Sequence, residues 1–274
     1  MQGMSIRHGV LMTMLSGSLL LSGCSSTTQV GATGVDRKQL LLVSSEQVNQ
    51  LSAQSYREEL SQAQAKGVLD RDPAMLARLK RIANRMIPQV TALRADARSW
   101  NWEVHTLNSN ELNAYCAPGG KIMFYTGIVN RLALTDDEIA AIMGHEMAHA
   151  LREHARERIS RAYAQQAGLS ILTSAVGLSS GQAQALGVAA QLGLELPHSR
   201  GQVSEADSLG LELMARAGYN PNAALTLWQK MGRASQGEPP KFLSTHPSTS
   251  DRFSQIRVLM PRVMPLYQQA LRRG

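Results

Sequence analysis

Apolar residues recur at helical spacing along most of this chain and at strand spacing over one short stretch before residue 126. That pattern predicts an α+β domain, mostly helical, with a small β-sheet ahead of a central helix. Ser44-Ser45-Glu46-Gln47 reads as a helix start, and Val48, Leu51, Tyr56 and Leu60 continue the apolar spacing. A second helix starts near Pro73 and carries Met75, Leu76, Leu79, Ile82, Met86 and Ile87. Pro88 ends or kinks it, while the pattern runs on through Leu93. Trp102, Val104 and Thr106 alternate with Glu103 and His105, as in a half-buried strand. Ala114–Ala117 and Lys121–Thr126 flank Pro118-Gly119-Gly120 and predict a strand-turn-strand. After Gly127 the chain reads as helix and loop. Ser199 to Ala217 is a helix stopped by Gly218, and Pro221 to Met231 is another. Gly232 to Pro247 is a Gly/Pro-rich loop, and the tail from Ser248 to Arg272 is helical in two pieces, broken at Pro261 and Pro265. Gly168 to Leu196 is rich in Ala, Gly, Leu and Val. Gly177, Ser179, Ser180, Gly181, Gln182 and Gln184 interrupt it, so helices packed through small residues are expected there rather than a membrane span.

The helix predicted from Thr135 carries the chemistry. Thr135 is a good N-cap, and Asp136, Asp137 and Glu138 place negative charge at the positive end of the helix dipole. Further along the same helix comes His145-Glu146-Met147-Ala148-His149. Residues four apart share a face, so both imidazoles can reach one metal ion. Glu146 can sit beside the open coordination position and take a proton from water. This is the H-E-x-x-H signature of zinc metallopeptidases. The bland alternative is a solvated helix face with two incidental histidines. Ile139, Ile142 and Met143 argue against it, because they predict a buried helix, where such polar residues need a reason.

Residues 1–23 read as a targeting segment: Arg7 and His8, then an apolar stretch from Val10 to Leu21 that is too short to span. It ends in Leu21-Ser22-Gly23-Cys24, which resembles a bacterial lipobox. The alternative is an ordinary signal peptide with an incidental cysteine. Ser25 after the cysteine resembles lipoproteins sorted to the outer membrane, facing the periplasm. Residues 24–34 then read as lipid attachment and a Ser/Thr/Gly-rich tether, and 35–274 as one domain of about 240 residues, ample for a core. With Cys24 acylated, Cys116 is the other of two cysteines and reads as a small buried strand residue, without a disulfide. Loss of Arg7 lowers the formal charge from +7 to about +6, which suits anionic lipid headgroups. With 4% aromatics and no basic block, nucleic acid is not an expected partner.

Four local patterns, in order, resemble metallopeptidase family 48, which includes HtpX-type, CAAX-prenyl-protease-type and periplasmic BepA/LoiP-type enzymes. They are Asn113-Ala114-Tyr115-Cys116-Ala117-Pro118-Gly119-Gly120, Gly144 to His149, Leu196-Pro197-His198-Ser199-Arg200 with Glu205-Ala206-Asp207, and Thr245-His246-Pro247-Ser248-Thr249 with Arg252. The resemblance covers about residues 73–262. It implies a gluzincin-like fold, one Zn2+ per chain, and endopeptidase activity on unfolded or misassembled envelope proteins, with the membrane reached through the lipid anchor. It also implies Asp207 as the partner of a zinc histidine, Arg252 as an oxyanion or substrate anchor, and Asn113, Ala114 and Tyr115 as a strand that pairs with substrate.

One departure stands out. The family's second metal helix reads E-x-E-A-D, and its first glutamate is the third zinc ligand; here Val203 occupies that position. Glu205 lies about 200° around the helix from it and reads as a solvated acid, with a metal role, which would need that helix to rotate, as the alternative. By resemblance to BepA-like members, His246 can approach the zinc from a loop and complete a set with His145 and His149. His198 reads as a hydrogen-bonded structural histidine, with a ligand role as the alternative. His154 falls off the metal face and reads as structural, and His105 points outward from its strand. Three readings remain open. One is a lipid-anchored envelope zinc endopeptidase, active or weakened by Val203. Another is a metal-impaired pseudopeptidase serving as a binding or chaperone-like module in outer-membrane quality control. The last is a structural lipoprotein with an incidental motif.

Overall fold

The computed structural model describes residues 24–175, 197–235, 240–246 and 251–273. The targeting segment with Leu21-Ser22-Gly23, the small-residue stretch from 176 to 196, and Pro247-Ser248-Thr249 lie outside the described residues. Among the described residues no helix is long and apolar enough to cross a membrane. In chain order the elements are β1 (Cys24–Ser25), β2 (Gln39–Leu40), α1 (Ser45–Ala65) and α2 (Pro73–Met86), then two 3-10 turns (Ile87–Ala92 and Ala95–Ser99). There follow β3 (Glu103–Leu107), β4 (Ala114–Ala117), β5 (Lys121–Tyr125), α3 (Thr126–Arg131) and α4 (Asp136–Leu151). The remainder is helical: α5 (His154–Ala175), α6 (Arg200–Arg216), α7 (Ala223–Ala234), α8 (Lys241–Thr245) and α9 (Arg252–Leu271).

Helix starts follow their caps. Ser44, Thr135 and Ser199 each form a reciprocal capping box, with Gln47, Glu138 and Gln202 respectively. Asp72 caps α2 ahead of Pro73, and the α-helix ends at Met86 because Pro88 has no N–H to continue the ladder. The apolar pattern then runs on as a 3-10 turn, with Val90 and Leu93 buried. β1 and β2 pair antiparallel as a two-stranded sheet, and the other three strands form a sheet in the order β3-β5-β4, with β3 parallel and β4 antiparallel to β5. Gly119 and Gly120 both take left-handed backbone angles in the β4–β5 turn (φ 82° and 85°), which is why two glycines stand there. β4 is one edge strand of this sheet and β3 the other.

α4 is buried on every side from Glu138 to Leu151. It packs against α6, α7, α2 and β4, so its all-round apolar character marks a central helix rather than a surface one. Its closest neighbour is α6, through one glycine from each helix. A Cβ on Gly210 would stand 2.7 Å from the His145 backbone nitrogen, and one on Gly144 would stand 2.8 Å from the Gly210 carbonyl oxygen. Both obstacles are backbone, so neither can swing aside. Gly210→Ala is therefore expected to push α6 off α4 and to destabilise the fold by about 1–3 kcal/mol or more. Thermal unfolding of that variant checks this; a melting temperature equal to the parent's would mean the two helices are not locked at this crossing.

Four expectations need correction. The Ser25–Gly34 stretch is not a free tether. Ser26 Oγ and Thr28 Oγ1 accept from Arg152 Nη1 (2.9 and 3.2 Å), and the backbone N–H groups of Ala32 and Thr33 donate to Glu212 (2.8 and 3.1 Å). Arg152 and Glu212 are fully buried, and a short polar segment of irregular backbone helps to satisfy them. On α1 the buried stripe is Val48, Ser52, Tyr56 and Ala63, leaving Leu51 exposed, because the helix packs sideways on the sheet and on α5. The tail is one helix rather than two: Pro261 and Pro265 stand four apart on an exposed face, so the carbonyls they leave free meet water. Finally, the Gly/Pro-rich loop contains α8, which ends at Thr245 with His246 as its C-cap.

Candidate metal centre

α4 places His145 and His149 one turn apart on a single face, with Glu146 next to His145, and each of the three is no more than 4% exposed. The two Nε2 atoms stand 3.1 Å apart. Two nitrogens bound tetrahedrally to zinc at 2.0–2.1 Å are separated by about 3.3 Å, so the pair already has the spacing of one edge of such a site.

The other face of each ring is occupied. His145 Nδ1 lies 2.8 Å from Asp207 Oδ1, brought there by α6 across the glycine crossing. Arg252 Nη2 donates to the same oxygen at 2.6 Å. Burial opposes ionisation of Asp207, but the Arg252 guanidinium and His145 hold its carboxyl below the usual range. His149 Nδ1 faces His154 Nδ1 at 2.7 Å, and His154 Nε2 faces Glu205 Oε2 at 3.0 Å.

His246, at the C-terminal end of α8, enters from the opposite wall. Its Nδ1 lies 3.0 Å from the Phe242 carbonyl oxygen, and its ring is sandwiched between Phe242 (centroids 4.4 Å apart, planes 17°) and His198 (4.8 Å, 22°). With Nδ1 held, Nε2 points into the centre. It is buried without a hydrogen-bond partner, as is Glu146 Oε1, and the two are 3.5 Å apart. Burial pushes the Glu146 carboxyl well above the usual range and keeps His145, His149 and His246 neutral, as imidazole ligands must be. The ligand atoms of His145, His149 and His246 lie within 4.8 Å of one another. Three convergent nitrogens, two orphaned buried polar atoms and an imidazole donor set fit a zinc ion.

His149, His154 and His198 also cluster. The 2.7 Å contact between the Nδ1 atoms of His149 and His154 is a hydrogen bond, too short for two ligands around one ion. Arg158 Nη1 stands 2.6 Å from His198 Nδ1, a cation where a metal would need a lone pair. This second cluster is a hydrogen-bond network.

A cleft of about 280 Å³ opens over the centre. One wall is the edge strand β4, with Asn113, Ala114, Tyr115 and Cys116; α1 contributes Ser52, Tyr56 and Glu59; Glu146, His149, His198 and His246 form the floor. Tyr115 donates its hydroxyl to Glu59, which ties the strand to α1.

Val203 and Cys116 lie where the sequence reading put them, and several other predicted residues do not. Val203 is buried on α6, one turn before Asp207. Arg252 does not line the cleft: it is buried behind Asp207 with its guanidinium 3.2 Å over the Trp228 ring. It can hold Asp207 but not touch substrate there, because α9 crosses α6 on the far side. Glu205 is not solvated. It is buried between His154, Arg152 and Arg37, and although burial opposes this, hydrogen bonds from His154 and Arg37 bring its pKa down to about 2. His154 is beside the metal face after all. His105 is half-buried and paired with Asp70 (2.7 Å), away from the cleft. Cys116 is buried on β4 as a free thiol.

The family model described as Peptidase family M48 matches residues 73–259. The chain is 36% identical over 162 residues to the mitochondrial metalloendopeptidase OMA1 of Schizosaccharomyces pombe, covering 58% of this chain and 47% of that protein. It is 26% identical over 250 residues to metalloprotease LoiP of Escherichia coli, covering 90% and 94%. With the beta-barrel assembly-enhancing protease of Yersinia pestis it shares 26% identity over 210 residues, 72% of this chain and 41% of that protein. The chain spans about half or less of the length of the mitochondrial relatives it matches.

Proposed function

The chain belongs to peptidase family M48, and we propose that it is a zinc metalloendopeptidase of a bacterial envelope whose metal is held by His145, His149 and His246. The observation that carries this reading is the convergence of three Nε2 atoms whose Nδ1 partners are already fixed, beside the unpartnered Glu146 carboxylate. His246 takes the place that Val203 leaves vacant.

A bound zinc supplies Lewis acidity to the attacking water and to the scissile carbonyl. Glu146 takes the proton of that water on its carboxylate and returns it to the leaving amide nitrogen. Asp207, braced by Arg252, holds the His145 ring in the tautomer that presents Nε2. The free edge of β4 pairs with an extended peptide, which reads backbone rather than side chains. That suits unfolded or misassembled envelope proteins as substrates. Acylated Cys24 holds the protein at the outer membrane, facing the periplasm. Because Cys24 pairs with Leu40 in the β1–β2 ladder, the domain sits close to its anchor.

The competing reading is a metal-impaired binding module, favoured by the buried valine at position 203. One preparation separates the two. Full-length protein extracted from membranes is expected to carry one zinc per chain and to cleave unfolded casein, with cleavage lost to a chelator and restored by zinc. A Cys24→Ala variant is expected in the soluble fraction with the same zinc content. Stoichiometric zinc without cleavage supports the binding module; protein without zinc sinks the metal centre; a Cys24→Ala protein still in the membrane sinks the anchor.

A further inference from the structure

We propose that His154 and Glu205 are positioning residues for the metal ligand His149, forming a buried hydrogen-bonded chain that fixes its tautomer and ring plane. The proposal rests on the reading of His149 as a ligand and deepens it.

The donor count allows one arrangement. His149 turns Nε2 toward His145 Nε2 and Nδ1 toward His154 Nδ1. With the Nε2 lone pair given to a metal, a neutral His149 carries its proton on Nδ1. That proton is donated to His154 Nδ1, so His154 carries its own on Nε2. Nε2 then donates to Glu205 Oε2 at 3.0 Å. The opposite tautomer of His154 would set two N–H groups against each other at 2.7 Å and turn a lone pair on a carboxylate. Each link is buried, so water does not substitute for any of them.

The fold commits a good deal to placing this one imidazole. α4 ends at Leu151, and Glu153 takes a left-handed conformation (φ 50°) before α5 begins at His154. A non-glycine residue there is strained. The strain is held by Glu153 itself, whose carboxylate meets Arg94 (3.0 Å), Arg156 (2.6 Å) and Ser45 Oγ (2.6 Å). The turn brings a residue five positions past His149 back against its ring. Glu205, in turn, accepts from Arg152 Nε (3.2 Å) and from Arg37 Nη2 (3.1 Å). Arg37 belongs to the same N-terminal segment that satisfies Arg152, so that segment braces the far end of the chain.

The two helix ligands are thus supported differently. His145 has a carboxylate directly on Nδ1, through Asp207. His149 has a carboxylate at one remove, through an interposed imidazole. In both, the hydrogen bond polarises the ring toward its metal-facing nitrogen and holds it in plane. In a centre lacking the family's carboxylate ligand, such support bears on affinity directly, because each remaining ligand is a neutral ring.

The test uses the full-length protein and reads metal rather than turnover. Competitive zinc titration is expected to show His154→Phe, which keeps a ring but has no nitrogens, binding zinc about 10- to 100-fold more weakly than wild type. His154→Asn, whose side-chain oxygen can accept from His149 Nδ1, is expected to recover most of that loss. A cobalt-substituted protein should show a changed visible spectrum for the phenylalanine variant and a near-native one for asparagine. A role in packing alone predicts the reverse order, since asparagine leaves the larger void. Ring-nitrogen NMR of the zinc-loaded wild type needs no variant, and is expected to show His154 protonated at Nε2. Phenylalanine binding zinc within about 2-fold of wild type, asparagine no better than phenylalanine, or His154 protonated at Nδ1 would each overturn the chain while leaving the metal centre standing. A wild type that binds no zinc would overturn both.

Discussion

Glu146→Gln is expected to leave zinc bound at one per chain while cleavage of an unfolded substrate falls by two to four orders of magnitude. The glutamine has the shape of the carboxylate it replaces but cannot take a proton, and general-base catalysis contributes about 10²–10⁴ in rate. Glu146 belongs to the set tested because its Oε1 is buried, without a hydrogen-bond partner, and aimed at the centre 3.5 Å from His246 Nε2. It is not one of the three converging nitrogens, so metal content should be indifferent to the change. Replacing a buried carboxylate by a neutral amide also removes a desolvation penalty, so the variant should unfold no more easily than its parent. Casein cleavage, zinc stoichiometry and thermal unfolding on one preparation are sufficient. Equal cleavage by the two proteins would assign the activity to other residues; loss of zinc with loss of activity would make Glu146 a ligand.

The parts of the site that lie on one regular helix were legible in the sequence. Thr135 and Glu138 announce the start of α4, and the spacing of His145 and His149 then follows from helical geometry. The β4–β5 turn was legible for a similar local reason, since Pro118 fixes its own φ while Gly119 and Gly120 can take the left-handed angles a tight turn needs. His154 was not legible. Its place depends on a left-handed turn at a glutamate, and nothing local marks Glu153 as the residue that makes it. Counting five positions along an unbroken helix put His154 on the wrong face, because the helix is broken. Glu205 was misread for a related reason. It does lie well around α6 from Val203, but both faces of that stretch are covered, one by α4 and the other by the N-terminal segment through Arg37. Arg252 lies in the part of the chain expected to hold it, yet it acts behind Asp207 because α9 crosses the back of α6. Helix faces follow from a sequence. What stands on the other side of each face follows from the packing.

Val203 and His246 together supply the sharpest expectation. Val203 is 3% exposed and one turn from Asp207, which reaches His145. A glutamate there, without metal, is a buried acid with no partner, so Val203→Glu is expected to unfold at a lower temperature when stripped. Zinc should then restore its stability, since a ligand bound by the native state alone stabilises it by mass action. Zinc affinity itself is expected to rise about 10-fold or more, the scale reached even by groups one step removed from an ion. His246→Ala should act in the opposite direction, and by an amount that depends on position 203. With valine there, the proposed ligands are His145, His149 and His246, the last with its ring clamped between Phe242 and His198 and its Nε2 already aimed. Removing it leaves two histidines, and affinity should fall sharply. With glutamate there, three ligands remain without it, and the same substitution should cost little. Two groups serving one ion must be non-additive in this way, whereas independent sites add. Competitive zinc titration of wild type, the two single variants and the double variant closes the cycle. Strict additivity would show that His246 does not bind the metal, and would leave the ion to His145, His149 and water.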